Sequence, residues 1–437
     1  MKTVFFGVFA TAAALLTSSV APVFAAPTVA KPTATPVAII EDKSIARASR
    51  PRQIVIVVAD GLSPQLVSFG NDYIRKSLDQ DDATAIQTFQ SAAKTVGVGA
   101  DALSSLKSVL TTAQKNGYKT GLVTSEDVTK IAPLFYDIAL DKSSTPDVAS
   151  AIINAKFDFI AGGGRSHFLP KTATGSTRDD SKDLAKTLTA AGGTAYFSVE
   201  SLTDGESQGR VLALQNDKVL NHPIDVEQEN ESSFDDLVSL ALTNLSSENA
   251  PFVLVVHDGF LARALAAKDT PGVAESYRHL DTIIDDLNTR ESDGNGEFGI
   301  AVLATGATTT PYVTATKPTE VNDTFFIVSN LALSYAGAGN KLRGADADAI
   351  ADFASDQYKG WKISSSDKAA IIAGTLDPET AIRASYEPAI AIGFKEIASA
   401  SSLQLLSVPA SDKGVNAIVD VVSQTPLAST QPIESIE

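Results

Sequence analysis

The sequence predicts an α/β protein built on a doubly wound, mostly parallel sheet with helices on both faces. Two observations carry this. Short apolar runs that end in Gly or an acidic residue recur along the chain, and amphipathic helical segments separate them. A strand covered on both faces is apolar throughout rather than alternating, and strand–helix–strand repetition is the signature of parallel crossover units. In such sheets the ligand crevice lies beyond the carboxyl ends of the strands.

In chain order, the opening MKTVFFGVFATAAALLTSSVAPVFA has a lysine, an apolar stretch over residues 4–16 and a small-residue cleavage pattern at Val23-Phe24-Ala25. This reads as a signal peptide over 1–25, hence export to a periplasmic or extracellular space. Residues 26–50 are rich in Pro, Ala and Thr and read as a flexible linker. The folded body is expected over 51–425. Its strands are IVIVVADG (54–61), TGLVTSED (120–127), FDFIAGGG (157–164), FVLVVHDG (252–259) and GIAVLATG (299–306). Helices are expected at SLKSVLTTAQKNG, PDVASAIINAK, SKDLAKTLTAAGG, SFDDLVSLALTNL and GVAESYRHLDTIIDDLNTR, several opened by Ser or Pro. Residues 312–390 break the alternation and read as an inserted subdomain. AIAIGF and LQLLSVPA are expected to return to the sheet before a disordered tail over 426–437.

The chain has 437 residues, a net charge of −17 and a pI near 4.7. An acidic surface repels phosphate backbones and anionic lipid, which argues against nucleic acid or membrane partners. No later segment approaches the roughly 20 apolar residues of a membrane span. With zero Cys, disulfides and thiolate metal sites are excluded.

Gly294, Gly296 and Gly299 match G-x-G-x-x-G, but they follow a helix and precede a strand, the reverse of a dinucleotide fingerprint. Gly162-Gly163-Gly164-Arg165 follows a strand and reads as a tight turn before it reads as a phosphate loop. The absence of G-x-S-x-G disfavours an α/β-hydrolase. The four histidines are His167, His222, His257 and His279, and His257 alone ends an expected strand, beside Asp258. With Asp60 at another strand end, Asp60, His257 and Asp258 form the residual candidate metal set, hard oxygen plus imidazole. The bland alternative is an ordinary polar strand terminus.

At the strand ends a resemblance emerges. IVIVVADGLSP, the segment TVGVGADALSSLKSVLTTAQKNGYKTGLVTSEDVTKIAPLFYDIA, FDFIAGGGRSHFLP and the run from VLALQNDK to FVLVVHDG resemble the alkaline phosphatase family, in order, over roughly 52–425. The resemblance implies a serine nucleophile, two zinc ions, magnesium and an arginine on the phosphoryl oxygens. Laid on that pattern, the chain keeps Asp60. The Glu, Asp and His of the family's E-G-x-x-I-D-x-x-x-H loop fall on His257, Ala262 and Ala266. An Asp-His pair falls on Thr305 and Gly306, and a magnesium acid and threonine fall on Lys130 and Ala132. The arginine falls near Asp141, and a last histidine falls between Lys395 and Ser402. The nucleophile helix, Ser77 to Thr84, offers Asp79, Ala83 or Thr84 at the serine position. Three protein ligands per zinc cannot be assembled from these positions.

The expectation is therefore a catalytically inactive, exported protein of the alkaline phosphatase fold, with no catalytic or cofactor-binding residues and no cofactor. Its partner would be a protein or a small phosphorylated ligand. One alternative is a divergent zinc- and magnesium-dependent phosphomonoesterase. Another is a metal-independent phosphate-binding module using Lys130 and Arg165. An ion pair between Asp60 and Lys130 is expected to replace the magnesium.

Overall fold

The computed structural model describes residues 53–77, 86, 96–98, 102–138, 145–197, 209–226, 232–247, 250–293, 298–305, 308–358, 361–396 and 403–407. The expected signal peptide, linker and tail lie outside the described residues, as do Asp79, Ala83, Thr84, Asp141, Gly294, Gly296, Gly306 and Ser402.

Each long apolar run is a strand. In chain order these are β1 (Gln53–Asp60), β2 (Val96–Val98), β3 (Lys119–Asp127), β4 (Phe159–Gly163), β5 (Thr194–Tyr196), β6 (Val211–Leu214), β7 (Phe252–Asp258) and β8 (Phe298–Thr305). Then come β9 (Thr309–Val313), β10 (Ile392–Glu396) and β11 (Leu403–Ser407). Among the described residues one sheet has the order β2-β11-β8-β1-β7-β3-β4-β6-β5. Its pairings from β8 to β5 are parallel, whereas β11 runs antiparallel to β8 and β2. Ile54 through Ala59 of β1 are all buried, as expected of a central strand covered on both faces.

Side chains alternate across a strand, so β1 feeds two cores. Val55, Val57 and Ala59 join one apolar cluster, and Ile54, Ile56 and Val58 join the other. The second cluster takes α2 (Ala102–Lys115), α3 (Val128–Phe135) and α4 (Thr145–Asn154). The second cluster also takes the short α5 (Leu184–Ala190), and the first takes α1 (Pro64–Ser77), α6 (Phe234–Leu245), α7 (Phe260–Ala267) and α8 (Thr270–Asp293). Helix starts are chemically marked: Ser233 and Asp236 form a reciprocal capping box on α6.

Residues 312–390 are mostly helical, carrying α9 (Pro318–Ser329), α10 (Tyr335–Leu342), α11 (Ala347–Asp356), α12 (Ser365–Ile372) and α13 (Pro378–Tyr386). Their buried side chains, Phe325, Ile350 and Tyr358 among them, belong to the same apolar cluster as Val57 and Phe260. The expectation for AIAIGF is corrected here. It forms β10, which pairs antiparallel with β9 in a separate two-stranded sheet. The half-exposed pattern of β10 suits a ribbon rather than a strand buried on both faces. LQLLS does rejoin the main sheet as β11.

Candidate functional site

Parallel register brings the carboxyl ends of β1, β7 and β3 side by side. Ala59 pairs with Asp258, and Thr124 pairs with His257. Asp60, the last residue of β1, opens about a third of its side chain (31%) to the crevice, while His257 is nearly sealed. His257 Nε2 lies 3.0 Å from Asp60 Oδ2, and His257 Nδ1 lies 2.9 Å from Thr124 Oγ1. Burial opposes charge on the imidazole, yet the bond and attraction to Asp60, with Glu126 and Asp258 further off, lift its pKa above the ordinary histidine value. The pair thus favours an imidazolium donating to Asp60 on one side and to the threonine oxygen on the other.

Asp258 follows His257 and, by strand alternation, turns to the other face. Its Oδ1 accepts the Phe260 backbone N–H at 2.9 Å, at the start of α7. Its Oδ2 is buried without a hydrogen-bond partner. Burial pushes the carboxyl up to about 6, against the attraction of His279 and the Phe260 bond. A carboxyl whose folded pKa is raised is best tolerated when protonated. Its penalty therefore grows as pH climbs from the unfolded value of 3.8 through about 6. That displacement corresponds to about 3 kcal/mol. Asp258→Asn is accordingly expected to stabilise the protein by the order of 2–3 kcal/mol near pH 8 and to be close to neutral near pH 4. Urea unfolding at the two pH values measures it, and an equal effect at both would remove the buried carboxylate as the cause.

The Asp60, His257 and Asp258 set is thus divided: Asp60 and His257 are joined to each other, and Asp258 is committed to the helix start. Among the described residues, no group of three or more His, Asp or Glu is placed to hold a metal ion. Both imidazole nitrogens of His257 are already engaged. The donor set therefore does not fit the two zinc ions and magnesium that the resemblance implies.

The Asp60–Lys130 pair is also corrected. Lys130 is exposed on α3 and Asp60 is bonded to His257 instead, so a histidine occupies the role expected of the lysine. Arg165 is held by Asp217 at 2.9 Å and donates to the Phe197 carbonyl. Its guanidinium is committed, which disfavours a phosphate module built on Lys130 and Arg165. Gly164 takes φ 94° and starts a single tight turn, Arg165–His167, the plainer of the two readings of the glycine run. Ser77 donates to the Phe325 carbonyl at 3.2 Å, while Lys395 lies on β10 in the separate ribbon.

One residue was missed by sequence reasoning. Gly259 is the N-cap of α7, and if the glycine of E-G-x-x-I-D-x-x-x-H is set on it, the register moves by one. Glu then falls on Asp258, Asp on Arg263 and His on Ala267. Arg263 pairs with Glu126 at 2.8 Å, donates to the Leu220 carbonyl at 2.9 Å and lies over the Phe260 ring. A fixed cation thus stands beside Glu126. The available signal was a lone arginine inside the apolar helix FLARALAA.

A sequence model of the alkaline phosphatase family matches residues 81–289. The alkaline phosphatase of Schizosaccharomyces pombe is 24% identical over 255 residues, 49% of this chain and 48% of its own length. Alkaline phosphatase 4 of Bacillus subtilis is 26% identical over 206 residues, 46% of this chain and 41% of its own. The chain therefore spans about half the length of the curated relatives it matches. Among solved structures, the Thermus thermophilus alkaline phosphatase superposes with a TM-score of 0.69 at 17% identity, covering 89% of this chain and 94% of that one. A cold-active alkaline phosphatase from a psychrophilic Shewanella gives 0.65 at 16%, covering 86% and 100%. At these identities the structural likeness shows the fold.

Proposed function

We propose that the chain belongs to the alkaline phosphatase family as an exported member that is inactive as a phosphatase and has a binding or structural role. The observation that carries this reading is the Asp60–His257 pair at the strand ends. There a buried imidazole is bonded on both nitrogens, and the neighbouring helix brings an arginine. Clustered carboxylates need cations to coexist in a low-dielectric crevice. Here His257 and Arg263 supply positive charge beside Asp60 and Glu126, which supports a site that does without zinc or magnesium. Export rests on the leader-like N-terminus, and no helix among the described residues is long and apolar enough to cross a membrane. The competing reading, a divergent metal-dependent phosphomonoesterase, would need ligands from positions that the register above does not supply.

The test is metal analysis of the purified protein together with turnover of p-nitrophenyl phosphate at alkaline pH. Neither bound zinc nor turnover is expected, and a chelator should leave the unfolding midpoint in place. Stoichiometric zinc accompanied by turnover would overturn the reading.

A further inference from the structure

Strand β3 contributes to two threonine–histidine–aspartate relays, and exposure separates them. In the first, Thr124, His257 and Asp60, the hydroxyl is fully buried (0%) and out of reach of any substrate. In the second, His167 Nδ1 stands 2.7 Å from Thr177 Oγ1, His167 Nε2 stands 3.1 Å from Asp127 Oδ2, and Thr177 is exposed. Burial deepens along this second chain, from the open threonine through His167 (16%) to Asp127 (6%).

The relay is fixed from below. Asp127 accepts from Thr129 N at 2.9 Å and Thr129 Oγ1 at 2.7 Å. Burial opposes its charge, but the His167 and Thr129 bonds hold the carboxyl below the usual range. A carboxylate can only accept, so Nε2 of His167 donates to Asp127, and in the neutral imidazole Nδ1 is then the atom that accepts from the threonine hydroxyl. Gly164 lets the chain pass: a Cβ there, at φ +94°, would stand 2.4 Å from Asp127 Oδ1. Thr177 is anchored through its backbone N–H to the Ser166 carbonyl at 3.0 Å, and the His167 carbonyl accepts from Arg178 at 3.1 Å.

Nucleophile, base and orienting acid at these spacings are the recognisable signature of an activated hydroxyl, whatever the order of residues in the chain. We infer that Thr177 is a nucleophile for acyl transfer from small activated esters, with His167 as its general base and Asp127 as the positioning carboxylate. The hydroxyl proton passes to Nδ1 as Oγ1 bonds to the acyl carbon. The ester C–O bond then breaks, and the departing alcohol takes the proton back from Nδ1. Water, deprotonated by the same nitrogen, releases the acyl group as a carboxylic acid and restores Thr177.

The loop packs on one wall of a polar cavity of about 690 Å3 lined in part by Arg165, Gln215, Asn216, Asp217 and Asn221. Ser166 Oγ donates to the Asp217 carbonyl, and Gly175 abuts the Asp217 carboxylate. This inference goes beyond the phosphatase reading and does not depend on it.

Full-length protein treated with a fluorophosphonate and digested with trypsin gives the test. One adduct is expected, in the peptide 172–178, with fragment ions placing it on Thr177. Thr177→Ala should abolish it, Thr177→Ser should keep or raise it, and His167→Gln should slow it about 100-fold. Hydrolysis of p-nitrophenyl acetate should follow the same order. No adduct on Thr177 in the parent protein, or esterase turnover unchanged in Thr177→Ala, overturns the proposal. So does a labelling rate within about twofold of the parent in a folded His167→Gln. If His167→Gln does not fold, the two Thr177 variants, altered only at an exposed side chain, decide alone.

Discussion

Replacing Phe260 by Ala is expected to destabilise the protein by about 3–5 kcal/mol, the range for deleting a buried aromatic side chain. Phe260 is 1% exposed. Its ring meets Phe234 edge-on at 5.5 Å, His222 at 5.8 Å and His279 at 5.8 Å, with the Arg263 guanidinium above it at 5.2 Å. These contacts come from α6, α7, α8 and the loop after β6, so the cavity left by truncation has walls that cannot collapse together. Its position two residues after Asp258 means that the same ring sets where α7 starts and where Arg263 points. Urea unfolding measures the loss, and Phe260→Leu should cost clearly less. A cost below about 1 kcal/mol for Phe260→Ala would mean that α7 is not anchored by this cluster.

His257→Ala is the second large effect, expected near 3 kcal/mol. That is the lower end for breaking a buried pair, because Asp60 keeps some solvent. The loss has two parts, the imidazole bonded on both nitrogens and the packing of its ring against Phe135. The sign of the pH dependence follows from the raised pKa of His257. The charged pair contributes fully below the unfolded histidine pKa, and its contribution is lost as pH rises through the folded pKa. The variant should therefore lose more, relative to the parent, at about pH 5.5 than at about pH 9. An equal cost at both would leave the packing of the ring as the whole effect. Lys130→Met, at an exposed helical position, should stay within about 0.5 kcal/mol of the parent and serves as the contrast.

Much of the fold was legible because its physics is local. A strand covered on both faces must be apolar at every position, and IVIVV, FVLVV and GIAVLA say so without any partner in view. Shorter strands such as VLAL of β6 and TAY of β5 carry too few residues for a pattern to stand out. AIAIGF looked like the same kind of strand, and its pairing with the distant Thr309–Val313 was not written into it. Asp60 and His257 could be named as strand-end residues, since apolar runs show where strands stop.

What the sequence by itself determined was therefore the architecture and the acidic character. What only the tertiary structure decided was which charges neutralise which. Lys130 was the natural partner for Asp60 on paper, but the helical phase of α3 turns it to solvent, while parallel register sets His257 beside Asp60. Arg263 and Glu126 meet across two elements 137 positions apart in the chain. The same holds for Asp127, His167 and Thr177, which no spacing rule would have joined. Electrostatic energy depends on distance and burial rather than on residue type, and side-chain distance between elements exists only once the sheet has aligned their ends.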